Sequence, residues 1–229
     1  MKAVVQIDIP LSKYNIDTKG SKVSSTNKEL TDLSIEKVGK YCSKYGHKHI
    51  VITEPVVGYC HPVWERLDFW LNPEWFEKYD EILYLDTDVY PSGKAPDIFE
   101  ENTSKYHYRR IPYHKAERKA KGVFAEIPNR YRECCANAGV MLLSKPLIDA
   151  TVDTIKRYKE DRFTDDSVLI NYAIMVSLIP VVDIPEGYNV KLNQCHLGDY
   201  KSGVYFFHAS GNLKHTNKKE VLNYLKEDF

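Results

Sequence analysis

No apolar run in this sequence is long enough to cross a bilayer, so any contact with a membrane would be peripheral. Met1 to Val5 is followed at once by Asp8, which leaves no apolar core for a signal peptide. Cysteine is sparse and unpatterned. There are five, with Cys134 and Cys135 adjacent and Cys42, Cys60 and Cys195 scattered. None has zinc-ligand or CxxC spacing, and the odd number fits reduced thiols in a cytoplasmic protein. Charge of one sign is not in excess: 32 Lys and Arg face 32 Asp and Glu, so bulk charge gives no reason to expect a nucleic-acid partner. Internal repeats and low-complexity tracts are also missing. What remains is an ordinary globular composition, 43% hydrophobic and 28% charged, over 229 residues. That length suits one large α/β domain, taken here as 1–229, or two small ones.

The hydrophobic pattern alternates strand and helix. Ala3 to Ile9 reads as a buried strand stopped by Pro10, with Asp8 at its end. Glu29 to Tyr45 has helical spacing and a stop at Gly46. His49 to Thr53 is a second strand, and Pro62 to Asn72 reads as a helix ending before Pro73. Ile82 to Leu85 is a third strand. Strands separated by helices predict a parallel sheet. Farther on, Asn137 to Ser144 reads as a core strand, Pro146 to Lys159 as a helix, and Val168 to Val176 as a helix opened by Asp165 and Asp166. Leu178 to Ile184 and Val204 to Phe207 read as strands, and the chain ends in a helix within 216–229. The segment 105–132 is strongly basic. It reads as a solvated helix and loop, with a loop or anion-binding patch over an acceptor site as the other reading.

The third strand ends in Asp86-Thr87-Asp88. In open α/β sheets, ligands bind beyond the carboxyl ends of the strands. Two hard oxygen donors there suit Mg²⁺ or Mn²⁺. A solvated aspartate turn closing a strand accounts for the same residues.

The order of motifs narrows this. An apolar strand, Asp86-Thr87-Asp88, Asn137-Ala138-Gly139-Val140-Met141, an Asp at a helix start, and His208-Ala209-Ser210-Gly211-Asn212-Leu213-Lys214 together resemble the GT-A glycosyltransferases. The nearest group is the retaining, family 8-like one that includes glycogenin and bacterial lipopolysaccharide galactosyltransferases. The resemblance runs from about Ala3 to Lys214. It implies a GT-A-type, Rossmann-like α/β fold with a mostly parallel central sheet flanked by helices. It implies Mn²⁺, or Mg²⁺, held by Asp86, Asp88 and His208, and a UDP-sugar donor. Lys214 and Gly211 would meet the diphosphate, the glycine by letting backbone N–H groups approach closely. Arg66 would contact donor sugar or phosphate, and Asn137 and Ala138 would lie beside the donor sugar. Asp166 would bind sugar hydroxyls or steady an oxocarbenium-like transition state. Asp8 and the Thr87 backbone would meet base or ribose. The acceptor would be a glycan, a lipid-linked sugar or a protein; oligomeric state stays open.

Two positions depart from that pattern. Ser167 stands where the group often has Gln, which bears on retention against inversion. His215-Thr216 replaces Pro-Trp after the lysine. Asp86-Thr87-Asp88-Val89 also matches the haloacid-dehalogenase signature, in which the first Asp is a nucleophile. That motif normally sits on a first strand, and the chain offers only Gly198-Asp199, after a poor strand, as its later partner. A nucleotide-sugar-binding protein without turnover is a third reading.

Overall fold

The computed structural model describes residues 1–14, 25–58, 61–101, 107–110, 136–158, 166–179, 184–191, 203–209 and 218–226. Its main sheet has five strands in the order β2-β1-β3-β6-β5. These are β1 (Lys2–Ile7), β2 (Lys48–Ile52), β3 (Glu81–Leu85), β5 (His107–Arg110) and β6 (Ala136–Ser144). β1 pairs in parallel with both β2 and β3, as the alternation of the first ninety residues predicts. β6 runs antiparallel to β3, and β5 antiparallel to β6. The chain thus leaves β1 to one side for β2, then returns to its other side for β3. That reversal opens a crevice beyond the carboxyl ends of β1 and β3, where Asp8 and Asp86 follow their strands.

Both faces of the sheet are covered, which is why its strands read as continuous apolar runs. Ala3, Val5, Ile82, Tyr84, Met141 and Leu143 pack on one face against α5 (Lys145–Tyr158), α6 (Asp166–Ser177) and the short α2 (Asp68–Leu71). Val4, Leu83, Leu85, Val140 and Leu142 point the other way, toward α1 (Ser25–Tyr45) and α4 (Ile98–Glu101). The alternation within each strand is the period of the pleat. α1 ends where Gly46 takes φ +73°, a left-handed position that favours glycine. α3 (Glu74–Lys78) leads into β3.

A second, small sheet joins β4 (Val89–Pro91), β8 (Phe206–His208) and β7 (Val190–Lys191) in the order β4-β8-β7. Tyr90 and Phe207 from this sheet pack with Leu30 of α1 and with Leu222 and Leu225 of α7 (Lys218–Lys226).

Three expectations change. Pro62–Leu67 is a 3₁₀ segment that becomes helical only at Asp68, with His61 Nδ1 accepting from the Val63 N–H at its start. The described part of the basic segment, His107–Arg110, is an edge strand and not a solvated helix, because β6 would otherwise expose an unpaired edge. Leu178 and Ile179 do not begin a strand. Leu178, with φ +54°, closes α6, while Ile184 is buried beside β8 without being in the sheet. The remainder of the basic segment, from 111, lies outside the described residues, as do 180–183. Among the described residues no helix is long and apolar enough to cross a membrane.

Candidate metal and donor site

Sheet pairing assembles the site from distant parts of the chain. The Asp86 N–H donates to the Gly139 carbonyl at 2.8 Å, so β6 lies beside the end of β3. Asp86 and Asp88 form the turn from β3 into β4, closed by the Val89 N–H on the Asp86 carbonyl at 3.1 Å. β4 pairs with β8 so that Val89 faces His208, and the Ala209 N–H donates to the Asp88 carbonyl at 2.9 Å. A histidine 120 residues downstream is thereby fixed next to the aspartate turn.

His208 Nε2 lies 3.2 Å from Asp88 Oδ1 and 3.9 Å from Asp86 Oδ2. Donor atoms of the three residues all lie within 4.8 Å of one another. The imidazole is fully buried and its Nε2 makes no hydrogen bond among the described residues. Its Nδ1 pairs with Asn189 Oδ1 at 2.8 Å. Two carboxylates and an imidazole nitrogen converging on one point are a donor set that fits a divalent ion. Gly139 makes the approach feasible. A Cβ there would fall 2.3 Å from His208 Cε1 and 2.7 Å from Asp86 Oδ2. Its φ is not left-handed, so the glycine is needed for room rather than for backbone freedom.

Arg66 braces the opposite side. Its Nε is 2.5 Å from Asp166 Oδ2 and 3.1 Å from the Val63 carbonyl. Nη1 donates to the Ala138 carbonyl at 2.8 Å, and Nη2 is 3.4 Å from Asp86 Oδ1. The guanidinium also lies over the Tyr84 ring, 4.9 Å from its centre. Tyr84 donates its hydroxyl to Asp86 Oδ1 at 2.7 Å. Burial, opposed by Arg66 and reinforced by Asp86, holds that phenol well above its ordinary pKa, so it stays a donor. Arg66 and Asp166 are both buried, and each is the other's counterion.

Asp8, Arg66, Asp86, Thr87 and Asp88 line one open cleft of about 300 Å³, with Ile7, Ile9, Pro62, Val63 and Tyr84 as its apolar wall. Burial, and then the charge of Asp32, raises the Asp8 carboxyl above its usual value, against the pull of Lys28. Asn137 Oδ1 accepts from the Gly139 N–H at 3.2 Å and from Asn189 Nδ2 at 3.4 Å. Ser167 lies in the first turn of α6 beside Asp166, and its carbonyl accepts from Asn171 Nδ2. Gly211 and Lys214 lie outside the described residues, as do His215, Thr216, Gly198 and Asp199.

Gly139, Tyr84 and Asn189 escaped the sequence reading as site residues. Gly139 had a usable signal, since an isolated glycine in a strand often marks close approach by another group. Tyr84 and Asn189 had none.

No protein-family model and no curated protein sequence matches this chain. Solved structures do. A glycosyltransferase involved in the glycosylation of the major capsid of PBCV-1 aligns over 98% of each chain, with 14% identity and a TM-score of 0.57. The bifunctional glycosyltransferase WbbM aligns over 92% of this chain and 46% of its own, with 11% identity and a TM-score of 0.56. The galactosyltransferase LgtC, solved with donor and acceptor sugar analogs, aligns over 99% of this chain and 95% of its own, with 12% identity and a TM-score of 0.53. What this likeness establishes is the fold: the chain has the GT-A architecture of these enzymes.

Proposed function

We propose that this protein is a metal-dependent glycosyltransferase that moves a hexose, glucose or galactose, from a UDP-sugar to a hydroxyl acceptor with retention. The observation that carries the reading is the convergence of Asp86, Asp88 and His208 at the crevice of a GT-A fold. A bound cation, Mn²⁺ before Mg²⁺ because an imidazole joins the carboxylates, would supply Lewis-acid stabilisation of the departing diphosphate.

The chain's own residues divide the remaining work. Asp8 and the Thr87 backbone take the base and ribose end of the cleft. Asp166, Asn137 and Ala138 take the sugar end, with Asp166 as the carboxylate that meets positive charge developing on the sugar. Gly211 and Lys214 are assigned to the diphosphate by resemblance. Arg66 holds Asp166 and faces Asp86, and it lines the cleft, where its remaining N–H groups would meet the donor sugar or phosphate. The acceptor is a glycan, a lipid-linked sugar or a protein, reached from the open side of the cleft. The haloacid-dehalogenase reading keeps only its four-residue motif, and against it the aspartates follow the third strand of a GT-A sheet.

The test is incubation with UDP-glucose and UDP-galactose, with Mn²⁺ or with chelator, while UDP release is followed. Metal-dependent release that disappears in Asp88→Ala supports the reading. Full turnover in Asp88→Ala, or phosphate release from simple monoesters in place of UDP release, overturns it. Metal-dependent binding without any turnover makes the protein a nucleotide-sugar binder.

A further inference from the structure

The hydrogen bonds around His208 determine which of its nitrogens carries the proton, and the determination starts from a backbone amide. The Gly139 N–H can only donate, so the atom of Asn137 that meets it at 3.2 Å is the carbonyl oxygen. The same Asn137 oxygen lies 3.4 Å from the Asn189 side chain, which must therefore present its NH₂. With its nitrogen so placed, Asn189 turns its oxygen to His208 Nδ1, 2.8 Å away. An oxygen acceptor requires the proton on Nδ1. Nε2 is then left with a lone pair, directed at the point where Asp86 and Asp88 converge.

We propose that Asn189 is a positioning residue that locks His208 in the Nδ1–H tautomer, and that Asn137 locks Asn189. The inference rests on the metal-site reading above. Asn189 is fully buried immediately before β7, whose residues Val190 and Lys191 pair with Phe207 and His208 of β8. The sheet therefore holds the asparagine and the histidine in one frame, with neither side chain needing to search for the other. Outer partners of this kind orient a metal-binding imidazole and raise its basicity. Here the relay also runs onward to Asn137, which is assigned to the donor sugar. The metal-bound diphosphate and the sugar of the donor would thus be met by residues that share one hydrogen-bond chain.

The primary experiment needs no variant. Long-range ¹H–¹⁵N correlation spectra of the metal-free protein at alkaline pH distinguish the two neutral imidazole tautomers, with His208→Ala supplying the assignment. The expected result is the Nδ1–H form for His208. An Nε2–H form overturns the proposal. Mn²⁺ affinity supplies the second readout. Asn189→Ala is expected to weaken Mn²⁺ binding about 10- to 100-fold, the range for loss of such a partner. Asn189→Asp keeps an acceptor for Nδ1–H and is expected to restore both the tautomer and the affinity. Unchanged Mn²⁺ affinity in a folded Asn189→Ala, alongside lost affinity in His208→Ala, overturns the inference and leaves the metal site standing. Absence of Mn²⁺ binding by the unmodified protein overturns the metal site and the inference together.

Discussion

Gly139→Ala is the substitution that presses hardest on the geometry. The added Cβ would lie 2.3 Å from His208 Cε1, 2.7 Å from Asp86 Oδ2 and 2.9 Å from His208 Nε2. An ordinary carbon–carbon contact is about 3.5 Å, so the imidazole must retreat by roughly 1 Å. It has little space to do so, being fully buried between β4 and β7. Overpacking of this kind costs about 1–3 kcal/mol of stability. The larger consequence falls on the site. A displacement of roughly 1 Å in a catalytic constellation costs on the order of a hundredfold in rate, and metal affinity should fall by at least the about 10-fold that loss of an orienting partner brings. Mn²⁺ titration by calorimetry or electron paramagnetic resonance would read the affinity, and thermal unfolding with and without Mn²⁺ would read the stability. Because the Gly139 backbone is not left-handed, alanine brings no conformational penalty of its own. A folded Gly139→Ala that binds Mn²⁺ as well as the unmodified protein would refute the claim that Asp86 and His208 close on one ion.

Asp166→Ala should lower stability by about 1–3 kcal/mol in denaturant unfolding, because it removes the nearer of the two carboxylates that face the buried Arg66 charge; Asp166→Asn keeps a hydrogen-bond acceptor for Arg66 and should lower turnover much more than UDP affinity. An Asp166→Ala protein as stable as the parent would show that Arg66 is not buried as described. Thr151→Val should cost about 1–3 kcal/mol, since it leaves the buried Trp70 indole N–H, now 2.8 Å from Thr151 Oγ1, without an acceptor. Cys42 is fully buried, and burial followed by the Asp97 charge pushes its thiol up to about 12, so it should resist thiol reagents at neutral pH until the protein unfolds. Peptide mapping after labelling would read this directly, and rapid native labelling of Cys42 would contradict it.

Much of this fold could be read from the chain because both sheet faces are covered. Strands such as Ala3 to Ile7 and Glu81 to Leu85 then appear as apolar runs cut off by proline or aspartate. The longer helices α1, α5 and α6 were equally visible in their spacing, whereas α3 and α4, of five and four residues, were too short to show a period. The strand His107–Arg110, last in the described sheet, was hidden because four mostly basic residues carry no periodic signal. Leu178 to Ile184 misled for the opposite reason. Its apolar residues serve a helix end and an isolated core contact, not a pleated surface. At the site, the aspartates and His208 were identifiable because their motifs lie in a characteristic order. That Arg66 and Asp166 neutralise each other was not, since pairing across 100 residues depends on how α6 docks on the sheet. Asn189 and Tyr84 matter only through which atom they turn toward a ligand, a property that residue type alone does not convey.

The most direct test of the whole account is a crystal of the protein grown with UDP and Mn²⁺, recorded near the manganese absorption edge. One anomalous peak bounded by Asp86, Asp88 and His208 Nε2, with the UDP diphosphate on its open side, is the predicted result. A diphosphate bound with no peak there, or a peak ligated without His208, would contradict it.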